Sequence, residues 1–151
     1  MKPEIIPLLH NVSSVQRVVD MARLVYALGY DKLIVTKAYG GAAQSGIPEA
    51  MRLALREGRS LIVLPDLPDA LELLRPDTLL IVSRDYASQQ IAPGRVPRIE
   101  GRTIVAFSGS EPDFTVEEAR RGTPVYVEGA QGRLGPIAEA SIILYILGRG
   151  E

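Results

Sequence analysis

The chain has 151 residues, 46% of them apolar and 23% charged, with a formal net charge of −1. That length fits one compact domain over residues 1–151, and the near-neutral balance argues against a protein that coats nucleic acid by bulk charge while leaving room for local basic patches. There is no cysteine, which excludes disulfides, thiolate zinc sites and thiol nucleophiles, and the single histidine, His10, argues against a Ser-His-Asp triad or a multi-histidine metal site, so no metal is expected. No apolar run reaches the roughly 18 residues of a spanning helix, and the N-terminus lacks a signal-type core, so the chain is expected to be cytoplasmic and free of the membrane.

In chain order, Glu4 to Leu9 reads as a buried strand despite Pro7. Ser13 or Ser14 can cap a helix whose apolar positions Val18, Val19, Ala22, Val25 and Tyr26 have helical spacing, with Gly29 as its stop. Lys32 to Thr36 is a second strand, followed by a loop of small residues from Tyr39 to Gly46. Pro48 suits the first turn of a helix ending at Gly58. Ser60 to Leu64 is a third strand, Asp66 to Leu74 a short helix capped by Asp66, and Thr78 to Val82 a fourth strand. Alternating strands and helices with short connections predict an α/β fold, a parallel sheet flanked by helices on both faces. Continuous Ile/Leu/Val runs agree with strands buried on both sides.

Ser83 to Gly101, with Pro93, Gly94 and Pro97, reads as a long functional loop or connector, with Arg84, Arg95, Arg98 and Arg102 in and around it. Thr103 to Phe107 restores a strand, and Thr115-Val116-Glu117-Glu118 is a capping box opening a brief helix. Val125 to Val127 then leads through Gly129, Gly132, Gly135 and Pro136 into a helix that is apolar on almost every side, expected to be buried.

Three small-residue loops therefore follow strand ends in the second half: Ser108 to Glu111, Glu128-Gly129, and Gly132 to Pro136. Small residues let backbone groups approach a ligand closely, and open parallel sheets bind ligands at strand carboxyl ends. Each loop alone is also explained as a tight turn. None matches the dinucleotide or P-loop glycine fingerprints, which speaks against nucleotide hydrolysis and a Rossmann-type cofactor site.

The closing strand, loop and helix, Val125-Tyr126-Val127-x-Gly129 and Ala140-Ser141-Ile142-Ile143-Leu144-Tyr145, resemble the end of the SPOUT superfamily's SpoU-like RNA methyltransferase branch. Ala106 to Pro112 resembles that branch's Leu-x-Gly-Ser-Glu-Gly segment, and Asn11 through Asp31 resembles its Asn…Arg…Phe-Gly-x-Asp motif. In layout the chain is similar to an archaeal-type group of that superfamily. The resemblance implies a C-terminal trefoil knot, a homodimer and S-adenosylmethionine as cofactor. It implies cofactor contacts at Phe107, Ser108, Gly109, Val127, Gly129, Leu134, Gly135 and Ala138. Catalytic roles would fall on Asn11, Glu111 and a motif arginine, Arg23 or Arg17. Gly135 stands where the family carries asparagine, Arg133 and Ile137 where it carries serines.

The function expected from the resemblance is S-adenosylmethionine-dependent methyl transfer to RNA, tRNA or rRNA, with Arg84, Arg95, Arg98 and Arg102 as RNA contacts or plain surface charges. The rival is a knotted homodimer that binds cofactor or RNA without transfer. A nuclease is the third reading, and Asp66, Asp69, Asp77 and Asp85 have no recognisable metal spacing for it. Asn11 either bonds across the cleft or caps the first helix, and His10 is read as a packed or capping residue ahead of a general base.

Overall fold

The computed structural model describes residues 3–111 and 113–149, so Pro112, the last residue of the methyltransferase-like segment, lies outside the described residues. Seven strands form one wholly parallel sheet: β1 (Glu4–Val12), β2 (Lys32–Ala38), β3 (Ser60–Leu64), β4 (Thr78–Val82), β5 (Gln89–Ile91), β6 (Arg102–Ser108) and β7 (Thr123–Val127). Their spatial order is β3-β2-β1-β6-β4-β7-β5. The helices are α1 (Val15–Ala27), α2 (Ile47–Glu57), α3 (Leu67–Leu74), α4 (Val116–Ala119) and α5 (Pro136–Gly148). None is long and apolar enough to cross a membrane.

Period-two alternation sorts each strand's side chains onto two faces. Leu9, Val12, Val35, Val105 and Phe107 pack under α1, α2 and α5, while Ile6, Leu8, Ile34, Ile81 and Ala106 pack under α3 and Phe114. Pro7 is tolerated in this central strand because the ladder to β2 begins only at Leu8.

Caps fall where the sequence places them. Ser14 accepts from the Arg17 N–H, Asp66 from the Leu67 N–H, and Thr115 and Glu118 form a reciprocal capping box. Three expectations change. The small-residue stretch before α2 is helical: Ala42–Gly46 is a π-type turn running into it, with Gly46 pressed against Val18 and Val15. Small side chains there let α2 approach α1. The long connector contains β5, whose Gln89–Ile91 pair with Val125–Val127. Finally, α5 is not buried all round, since Ile142 and Tyr145 are exposed.

The C-terminal half crosses over itself. Strand β7 lies between β4 and β5, and the β4–β5 connection bridges its amino end, Ser83 N–H donating to Val125 and Ser88 N–H to Pro124.

Candidate functional site

The carboxyl ends of the central strands carry two distinct groups of polar residues, one on each face. Under α3 and α4 the apolar alternation ends in side chains that are polar yet buried: Thr36 on β2, His10 on β1, Ser108 on β6 and Ser83 just after β4. His10 is in register with Thr36 on one side and Ser108 on the other. Buried polar atoms need partners, and this row has them. Ser108 Oγ donates to the Asp113 carbonyl, and Ser83 Oγ donates to Asp113 Oδ1.

His10, only 1% exposed, lies flat against Phe114 with ring centroids 5.8 Å apart. Its Nδ1 is 2.8 Å from Thr36 Oγ1 and its Nε2 2.7 Å from Glu118 Oε2. Asp66 Oδ1 lies 3.9 Å from the same Nε2. One ligand-capable atom from each of His10, Asp66 and Glu118 falls within 4.8 Å of the others. Both carboxylates are positioned by helix starts: Asp66 caps α3, and Glu118 uses Oε1 for the Thr115 N–H while Oε2 faces His10. Asp66 is 52% exposed, so the cluster opens to solvent on its side. The packed character read for His10 holds. What the sequence reading missed is that Asp66 and Glu118 converge on it. The available signal was the polar residue closing each apolar alternation: Ile6-Leu8-His10, Ile34-Thr36, Ile81-Ser83, Ala106-Ser108.

The second group is the junction of small-residue loops. Gly109 approaches so closely that an added Cβ would lie 2.7 Å from Val12 Cβ and 3.0 Å from the Asn11 carbonyl oxygen. Asn11 itself has φ 60°, and its carbonyl accepts from Ser110 Oγ at 2.9 Å, so Ser14, not Asn11, caps α1. Arg17 donates to the Gly109 carbonyl, and Arg133 reaches the Ser108 carbonyl and Glu111 Oε1 at 3.1 and 3.0 Å. Arg23 instead pairs with Asp20 on α1 and faces Glu49, Arg52 and Arg56 of α2; it does not join Asn11 and Glu111. The last loop is held by Tyr126, whose hydroxyl accepts from the Leu134 N–H and donates to the buried Glu139, both at 2.7 Å. Burial first, with Glu139 opposing the phenolate as well, pushes the Tyr126 hydroxyl up to about 12, even though the Leu134 N–H favours the phenolate. Burial raises the Glu139 carboxyl above its ordinary range.

Of the other expected contacts, Phe107 is a core side chain, Val127 ends β7, Gly129 and Gly135 take φ of 83° and 90°, and Leu134 and Ala138 are exposed. The four arginines separate. Arg84 and Arg95 line a cavity of about 580 Å³ with Gln89 and Gln90. Arg98 pairs with Glu100, and Arg102 pairs with Glu4 at the opposite, amino-end rim.

The fold defines the class: an α/β protein with a parallel sheet flanked by helices, of the kind seen in SpoU/SPOUT RNA methyltransferases. An AdoMet-bound rRNA methyltransferase of Sinorhizobium meliloti superposes with a TM-score of 0.76 at 12% identity, over 99% of this chain. The chain spans only 57% of that methyltransferase. The SpoU methyltransferase of Streptomyces viridochromogenes superposes with a TM-score of 0.72 at 14% identity, over 96% of this chain and 58% of its own.

Sequence relatives give the family. Residues 40–146 match the model described as RecB-family nuclease (DUF2122), and the chain belongs to that family. A candidate type II restriction enzyme of Aeropyrum pernix is 60% identical over 99% of this chain and 96% of its own length. A second, from Methanocaldococcus jannaschii, is 29% identical over 91% of each. These findings overturn the expected methyl transfer to RNA, and with it the non-enzymatic rival, in favour of a nuclease-type family. The physical source of the error is plain. The motifs that suggested it, from Asn11 through α1, at the end of β6, and at β7 with its loop and α5, are those that shape the fold, and a fold at 11–17% identity does not carry its chemistry along.

Proposed function

We propose that the protein is a nuclease that hydrolyses phosphodiester bonds of duplex DNA at the strand carboxyl ends, with His10, Asp66 and Glu118 as its reactive cluster. The single observation that carries this reading is their convergence from β1, α3 and α4 onto one partly open point. The family and the names of its relatives supply the substrate class. In the reaction a water oxygen attacks phosphorus, its proton passes to a carboxylate, and the bond from phosphorus to the leaving sugar oxygen breaks. That oxygen then takes a proton from solvent. Exposed Asp66 is suited to accept the first proton, because the carboxylate is reachable and fixed by its cap. Both His10 nitrogens are engaged, so the imidazole acts as a fixed donor to the cluster and not as a free base.

The test is cleavage of plasmid DNA, with RNA run in parallel, in buffers supplying Zn2+, Mn2+ or Mg2+ and in EDTA. Asp66→Asn keeps the helix cap and is expected to slow cleavage by ~100-fold, at the lower end of what a positioned base contributes. Unchanged cleavage in this variant would remove the cluster from the reaction.

Three structural features belong to the same reading. The bridge of Ser83–Ser88 across β7 supports closure of the C-terminal half into a trefoil knot. Exposed Ile142 and Tyr145 on α5 support a homodimer, tested by light scattering on Tyr145→Glu. The junction around Ser108, Gly109, Val127, Gly129 and Gly135 is a candidate site for S-adenosylmethionine, supported by the AdoMet-bound fold neighbour; calorimetric titration without saturation at millimolar ligand would dismiss it.

A further inference from the structure

From the same cluster we infer that His10 Nε2, Glu118 Oε2 and an Asp66 carboxylate oxygen form a binding site for one transition-metal dication of the zinc class, and that Thr36 is the positioning residue for the histidine. The inference deepens the nuclease reading and uses its residues, but it is tested by binding, so the two can fail separately.

The donor set is one imidazole and two carboxylates. Magnesium and calcium favour all-oxygen shells, whereas imidazole suits zinc and its neighbours. Two carboxylates balance the charge of a dication. Three protein ligands with solvent access through Asp66 leave a coordination position for water, the pattern of catalytic rather than structural zinc.

The geometry requires small movements of both carboxylates: Asp66 Oδ1, 3.9 Å from Nε2, has to draw in, and Glu118 has to draw back. His10 Nε2 and Glu118 Oε2 are 2.7 Å apart in direct hydrogen bond. A tetrahedral ion about 2.0–2.2 Å from each holds such atoms ~3.3 Å apart, so Glu118 has to draw back by roughly half an ångström. It stands on α4, a helix of only four residues, which offers little resistance. His10 cannot yield in the same way, being buried and stacked on Phe114.

Thr36 fits both states of the histidine. Without a metal, the contact with a carboxylate oxygen calls for an Nε2–H that donates to Glu118, and in the neutral ring with that tautomer Nδ1 accepts from the Thr36 hydroxyl. With a metal on Nε2, the proton sits on Nδ1 and donates to the same hydroxyl oxygen. Only a group that both donates and accepts serves both tautomers, and such outer-shell partners hold metal-bound histidines in orientation. Thr36 is fully buried, so no water replaces it.

The experiment is calorimetric titration of EDTA-stripped, full-length protein with zinc chloride and, separately, magnesium chloride, alongside the melting temperature with each. The expected result is one equivalent of zinc at micromolar affinity or tighter, a raised melting temperature, and no saturable magnesium binding below millimolar. Asp66→Asn is expected to weaken zinc at least 10-fold while remaining folded. Thr36→Val is expected to weaken it 10–100-fold and Thr36→Ser to restore it, a rescue that mere packing would not produce. No saturable zinc binding would overturn the inference, as would stoichiometric binding indifferent to Asp66→Asn, or equal affinity for magnesium. Zinc bound without DNA cleavage would count against the nuclease reading alone.

Discussion

The two sides of the strand carboxyl ends are built on different principles. On the α1/α5 side the junction is made of backbone: Gly109 wedged against Val12, carbonyls of Ser108 and Gly109 gripped by Arg133 and Arg17, and a final loop pinned by Tyr126. On the α3/α4 side the cluster is made of side chains, His10, Asp66 and Glu118, standing on three separate elements. The first side is held by close packing and by hydrogen bonds to backbone groups; the second gathers one histidine and two carboxylates around a partly open point. The difference teaches that the two faces of one sheet edge can be built differently, one from backbone packing and the other from side chains that only the tertiary fold brings together.

Changes on the junction side should therefore cost stability and leave zinc binding intact. Gly109→Ala forces a Cβ into Val12 and the Asn11 carbonyl, and is expected to lose about 1–3 kcal/mol in urea unfolding. Loss of zinc binding in the folded variant would show that the two faces are coupled. Tyr126→Phe removes the hydroxyl between the Leu134 N–H and Glu139, leaving both without that partner, and should cost about 1–3 kcal/mol. A cost near zero would mean that solvent already satisfies them.

The smallest effect concerns pH. Burial, the first cause, raises the Glu139 carboxyl above its ordinary value of 4.5 in the folded chain. A raised folded-state value means that the folded chain holds its proton longer than the unfolded one. Stability from this group is therefore fully present below the ordinary value and declines as pH rises toward the folded one. Glu139→Gln keeps an oxygen to accept from Tyr126 and removes the charge. Relative to the wild type it should gain stability between acid and neutral pH, with no difference at the most acid end of the range. A gain that is flat with pH would contradict burial as the cause.

Much of the fold was legible because it is written locally. Alternation, caps at Ser14, Asp66 and Thr115, and the apolar strands mark their elements directly. Strand β5 was hidden because three residues, two of them glutamines, have no pattern of their own; Gln89–Ile91 is a strand only because β7 lies beside it. The Ala42–Gly46 turn was hidden because small residues signal a loop and a close helix contact equally well. The small-residue loops from Ser108 to Glu111 and from Gly132 to Pro136 were visible from composition, but not that Arg133 ties one to the other. The His10 cluster was not, since its hydrogen bond to Glu118 spans 108 residues and exists only through the sheet order that sets β1 between β2 and β6. Searching the acidic residues for metal spacing in sequence missed Asp66 for the same reason.

The most direct measurement is the rate of duplex DNA cleavage by the wild type and by Glu118→Gln, at equal zinc and equal folded fraction. Cleavage by the wild type, slowed ~100-fold or more in the variant, is the predicted result. Equal rates in the two proteins, or no cleavage by the zinc-loaded wild type, would contradict it.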